Sequence, residues 1–78
     1  MQIYSVMLEG TDAGMGYFMN IEVAAYSPTT AVKLSEERAK ELGLTIVGVE
    51  EVTETGQIST LESKVLSVSG KSYFPAED

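Results

Sequence analysis

The chain alternates for most of its length between two periodicities, and the change from one to the other divides it. From the start, "MQIYSVMLE" is rich in β-forming residues, and in "YFMNIEVAAY" the residues Tyr17, Met19, Ile21, Val23 and Ala25 recur at every second position. A period of two places all five on one face of a strand and sends Asn20 and Glu22 to the other. After Tyr26 the period lengthens. In "SPTTAVKLSEERAKELG" the small and apolar residues Ala31, Val32, Leu34, Ser35, Ala39 and Leu42 form a narrow helical stripe. Ser27 is placed to cap that helix and Pro28 to occupy its first position, where a missing N–H costs nothing. Gly43 suits the position just past its end. On the wet side, Lys33 with Glu37 and Glu36 with Lys40 stand four apart and are expected to pair.

Beyond the helix, "LTIVGVEEVTE" returns to β character, and "TGQ" at 55–57 reads as a turn leading into "ISTLES". A further strand is expected at "VLSVS", with "SYF" returning beside it as a hairpin arm and "PAED" as a frayed tail. The reading is one α+β domain over 1–78: an N-terminal hairpin over 1–26, a helix over 27–43, strands over 44–74 and a tail over 75–78. Short connections in the order ββαββ predict an antiparallel or mixed sheet of three to five strands with one helix packed on one face.

The hairpin connection, "EGTDAGMGYF", carries three glycines within seven residues and raises the question of a phosphate cradle. A phosphate-binding loop needs a lysine and a hydroxyl residue after its glycines, or a helix opening there so that its N–H groups face the anion. Here a strand follows and Asp12 adds a repelling charge. The loop is therefore expected only to turn the hairpin, its glycines supplying positive φ in a connection longer than a two-residue turn.

Charge narrows the function classes. Twelve acidic residues against five basic ones give a net charge of −7 on 78 residues, and no lysine or arginine precedes Lys33. Between Lys33 and Glu41 the two signs cancel, so the excess acid lies at Glu9, Asp12, Glu22, Glu50, Glu51, Glu54, Glu62, Glu77 and Asp78. Such a surface repels nucleic-acid backbones and anionic lipid; it reads first as a solvated, solubilising surface and, as the sharper alternative, as a patch that meets a basic partner. No apolar run reaches the roughly 20 residues that span a bilayer, and no basic segment leads into an apolar one at the N-terminus. The expected location is the cytoplasm.

Catalytic chemistry is poorly served. The sequence has no histidine, cysteine or tryptophan, which removes nucleophile–histidine devices, histidine and thiolate metal ligation, and the usual neutral-pH base. Of Glu50, Glu51 and Glu54, alternation lets only Glu50 and Glu54 share a strand face and sets Glu51 with Val47 and Val49; the spacing matches no calcium loop. They read as solvated edge charges in preference to a metal site. No cofactor and no metal is expected, and the chain reads as a non-enzyme. Met19 is expected in the core, whereas Met15, at the loop tip, has little core to join and is a candidate exposed anchor. The candidate partner-binding residues are Glu50, Glu51, Glu54, Asp12 and Met15.

Three resemblances add to this reading. "MQIYSVMLEG" followed by "MNIEVAAYSPTTAVKLSEERAKELG" resembles ubiquitin-like β-grasp proteins in its order of strand, strand and capped helix. The terminal diglycine of the conjugated members is absent, so conjugation chemistry is not implied. In overall plan, from "IEVAAYSPTTAVKLSEERAKEL" through "TIVGVEEVTETGQ" into the C-terminal strands, the chain is similar to small phage-encoded anti-CRISPR proteins. That likeness implies a non-enzymatic inhibitor acting in the host cytoplasm on a basic protein or complex that handles nucleic acid. "GYF" followed by a strand and an "SPTTA" helix start resembles the HicB-like antitoxin partner of the HicA toxin, although the family's glycine turn before the helix is absent. The alternative it implies is an antitoxin or small regulatory domain acting as a homodimer or higher homo-oligomer. The expected function is an acidic protein-binding module with no direct contact to nucleic acid or membrane.

Overall fold

A computed structural model of the chain describes residues 1–74. It has an α+β architecture: an antiparallel sheet built from β1 (Gln2–Asp12), β2 (Met15–Ala25), β3 (Thr45–Gln57), β4 (Lys64–Val68) and β5 (Ser72–Phe74), with a single helix α1 (Pro28–Glu41) between β2 and β3. The sheet order is β3-β1-β2-β4, and β5 also pairs with β2. Among the described residues no helix is long and apolar enough to cross a membrane.

The alternation in the first two strands becomes the core. Tyr4, Val6 and Leu8 on β1 stand opposite Val23, Ile21 and Met19 on β2, and all six are buried with Tyr17 and Ala25. Directly opposed residues of an antiparallel pair share a face, so this register fuses two alternating rows into one apolar surface. Helix α1 lies on it through buried Ala31, Ser35 and Ala39, with Val32 and Leu34 half-buried beside them. Small residues in the stripe let the helix backbone approach the sheet. Ser35 keeps its buried hydroxyl satisfied by donating to the Ala31 carbonyl at 2.8 Å.

Both helix ends are built from the expected signals. The Ser27 hydroxyl accepts from the Thr30 N–H at 3.2 Å. At the other end Gly43, at φ +74°, donates to the Lys40 carbonyl while Leu44 donates to Ala39, a Schellman ending. The expected pairs Lys33–Glu37 and Glu36–Lys40 are not formed, and the helix ion pair is Arg38–Glu41 at 3.3 Å. Leu42, assigned to the apolar stripe, is 45% exposed because it falls on the cap, where the backbone leaves the helical path.

Three further expectations are corrected. The hairpin turns on only two residues, Ala13 (φ 52°) and Gly14 (φ 80°), and the ladder runs out to the pair Asp12–Met15. Two consecutive positive φ values are those of a type I′ turn, whose twist matches that of the flanking strands. Gly10 and Gly16 therefore lie within strands. At Gly10 a Cβ would fall 2.5 Å from the Tyr17 hydroxyl oxygen and 2.6 Å from the Thr45 carbonyl oxygen; at Gly16 it would collide with the Phe74 ring. Each glycine makes room for an aromatic ring.

The expected turn at 55–57 lies inside β3, where Gly56 stands opposite Ile3. The segment "SYF" does not fold back on β4. Instead β4 pairs with Ile21–Ala24 and β5 with Gly16–Phe18, both antiparallel to β2. The two are one edge strand interrupted over residues 69–71, which restores the ββαββ order. The interruption is pinned to Asn20: its N–H donates to the Ser69 hydroxyl at 2.8 Å, and its carbonyl accepts from the Ser69 N–H at 2.8 Å. The tail expected to fray, residues 75–78, lies outside the described residues.

Candidate partner-binding surface

Strand β3 is the outer strand on one side of the sheet and pairs only with β1 among the described residues. Its inner residues Ile46, Val49 and Val52 are half-buried against the core. Glu50, Glu51 and Glu54 are all exposed, and none is in an ion pair among the described residues. Their arrangement differs from simple alternation, because β1 and β3 slip register between Met7 and Leu8. Met7 faces Glu51 while Leu8 faces Val49, and Glu50 is left as the extra residue of a bulge. Glu51 therefore lies on the sheet face away from the helix, opposite to Val49. Glu54, opposite Tyr4, lies on the helix side. The carboxylates present to both faces of the edge.

The sheet face away from the helix has no second layer among the described residues. It carries Ser5, Met7 and Glu9 of β1 with Phe18, Asn20 and Glu22 of β2, all half-buried. Its polar groups are tied to one another: the Asn20 side chain donates to the Ser5 hydroxyl at 2.8 Å, Ser67 to Glu22 at 2.9 Å, and Thr53 to Glu51 at 3.0 Å.

Asp12 and Met15 close the hairpin opposite each other, apart from the β3 acids. Met15 is 41% exposed, in keeping with its place at the tip, whereas Met19 is buried. Asp12 is already engaged. Its Oδ2 accepts from the Tyr73 hydroxyl at 2.8 Å and from the Lys71 ammonium at 3.1 Å. Hydrogen bonding from Tyr73, then from Lys71 together with its positive charge, holds the Asp12 carboxyl below its ordinary value of 3.8. The same bonds raise Lys71 above 10.5 and Tyr73 above 10.0.

This network fastens β5 to the hairpin, and aromatic contacts on both faces of β2 add to it. Tyr73 meets Tyr17 edge-on with centroids 5.8 Å apart, Phe74 meets Phe18 at 4.8 Å, and the Lys71 ammonium sits 4.9 Å from the Tyr17 centroid. Tyr17 is fully buried, yet among the described residues its hydroxyl has no hydrogen-bond partner. Sequence reasoning missed Lys71 and Tyr73. The only signal available was an alternating "KSYF" beside a lone acid at the hairpin turn, and pairing them required knowing that β5 returns to β2.

A groove of about 440 Å³ is lined by Met1 and the residues from Gln57 to Leu61, and another of about 580 Å³ runs between α1 and β4 past Leu34, Glu37, Val65 and Val68. Arg38 and Glu41 in the latter are paired with each other. Among the described residues no group of three or more acidic side chains is placed to hold a metal ion.

Comparison of the chain with protein-family models, curated proteins and solved structures returns no significant match.

Proposed function

We propose that the protein is a small, non-enzymatic binding module that engages a basic protein surface through β3 and the adjoining open sheet face. One observation carries this reading: an outer strand of 13 residues bears three exposed carboxylates, which form no ion pair among the described residues, and no lysine or arginine. Exposed charges of one sign on a rigid edge accelerate encounter with the opposite sign and repel nucleic acid. The biological form we propose is a phage-encoded inhibitor, similar to anti-CRISPR proteins, that occupies a basic surface of a nucleic-acid-handling complex. Inhibition is then steric and electrostatic competition for a surface that otherwise holds DNA or RNA.

The test is surface plasmon resonance against CRISPR effector complexes at two ionic strengths. Changing Glu50, Glu51 and Glu54 together to Gln should slow association at low salt and flatten its salt dependence, with folding unchanged. An unchanged on-rate for the triple variant on a verified partner refutes the role of β3. Binding of the protein itself to DNA or RNA, weakening with salt, refutes the assignment to a protein partner.

A further inference from the structure

Resting on the reading that the partner is basic, we infer that β3 takes it by strand addition: an extended basic segment pairs with the free edge of β3 and continues the sheet. An outer strand presents a row of unpaired backbone N–H and C=O groups, which an incoming chain satisfies while its side chains alternate between the two faces. Register shifts in the β1–β3 ladder fall between Ile3 and Tyr4, between Met7 and Leu8, and between Glu9 and Gly10. Between the first two, Tyr4–Met7 pairs without interruption with Glu54–Glu51. That regular window, "EVTE", is where a further strand finds undistorted backbone.

The side chains of the window define what fits. Glu51 and Thr53 stand opposite Met7 and Ser5 on the open face; Val52 and Glu54 stand opposite Val6 and Tyr4 on the helix face. An antiparallel strand reading from Glu54 back to Glu51 thus meets a carboxylate on the helix face, a hydroxyl on the open face, a half-buried valine on the helix face, and a carboxylate on the open face. The complementary pattern is basic, polar, apolar, basic, with the two cations three positions apart and on opposite faces.

Charge also decides against the most available competitor, a second copy of the chain. Pairing β3 with itself sets Glu50, Glu51 and Glu54 of one copy among the same residues of the other, and β3 has no cation to offset them. Like charges across a strand pair are destabilising. Acidic guarding of an edge is selective by sign: it blocks self-association and leaves the edge open to a basic strand.

The test uses a capped synthetic decapeptide carrying lysine, threonine, valine and lysine at successive central positions, titrated into the isotope-labelled full chain. Strand addition predicts amide shift changes concentrated at residues 50–55. It also predicts that N-methylation of alternate peptide residues weakens binding at least tenfold in one frame and little in the other, because only one frame faces β3. Equal affinity of both methylated frames overturns strand addition while leaving charge-driven binding intact, as does an unbound peptide when a basic protein still binds through β3. Failure of both the peptide and every basic partner overturns the underlying reading as well. Concentration-dependent dimerisation through residues 50–55 overturns the argument against self-pairing.

Discussion

Tyr73 donates its hydroxyl to Asp12 at 2.8 Å across 61 residues of sequence, and Lys71 shares the same carboxylate oxygen. Removing that hydroxyl while keeping the ring isolates the bond. In Tyr73→Phe the stacking on Tyr17 survives, and the Asp12 carboxyl should titrate closer to its ordinary 3.8, since the largest cause of its depression is gone. Carbon-detected NMR titration of the Asp12 carboxyl measures this. An unshifted midpoint would show that Lys71 alone sets it.

The same network fixes a pH dependence. Asp12 is depressed on folding, so its contribution is present above 3.8 and is lost as pH falls through its lower folded value. Lys71 and Tyr73 are raised, so theirs is present below about 10 and lost as pH rises through their folded values. Protection factors at Ser72–Phe74, taken against the intrinsic exchange rate at each pH, should fall at both extremes before those of the core strands. Uniform exchange across the whole sheet at low pH would contradict this.

Gly10 is under the Tyr17 ring and against the Thr45 carbonyl, whereas among the described residues nothing lies within 4 Å of a Cβ at Gly48. Gly10→Ala should destabilise by about 1–3 kcal/mol or more, because backbone as well as ring must shift. Gly48→Ala meets no such obstacle and should stay within about 0.5 kcal/mol. Chemical denaturation of the two variants distinguishes a packing requirement from a general intolerance of β-carbons.

The hydroxyl of Tyr17, buried without a partner among the described residues, makes an unusual prediction for a core deletion. Tyr17→Phe keeps the ring and removes a group buried without a partner, and should raise stability by about 1 kcal/mol. A loss of that size would mean the hydroxyl is bonded in solution.

Ala13 holds φ at 52° in the hairpin turn. A β-carbon is unfavourable there by about 1–2 kcal/mol, and asparagine tolerates the conformation better. Ala13→Asn should therefore stabilise by up to about 1 kcal/mol. Thermal unfolding with no upward shift would show that the turn relaxes without cost.

The sequence by itself determined the elements whose signals are local. Tyr17, Met19, Ile21, Val23 and Ala25 marked the core face of β2 because side-chain direction in a strand has a period of two, and Ser27, Pro28 and Gly43 bounded the helix because capping needs particular residues within a few positions. It also determined the charge. What only the tertiary structure decided depends on partners distant in the chain. The glycines at 10 and 16 were open to a turn reading until the Tyr17 and Phe74 rings were seen above them. Glu51 fell on the opposite face from its expected neighbour Val49 because a bulge against β1 breaks a periodicity that sequence alone presents as continuous. Asp12, read as part of the acid excess and as a candidate partner-binding residue, proved to be held by Lys71 and Tyr73, since β5 pairs with β2 rather than with its neighbour β4. Pairing is a contest among edges, settled by packing over the whole sheet, and local pattern does not encode its outcome.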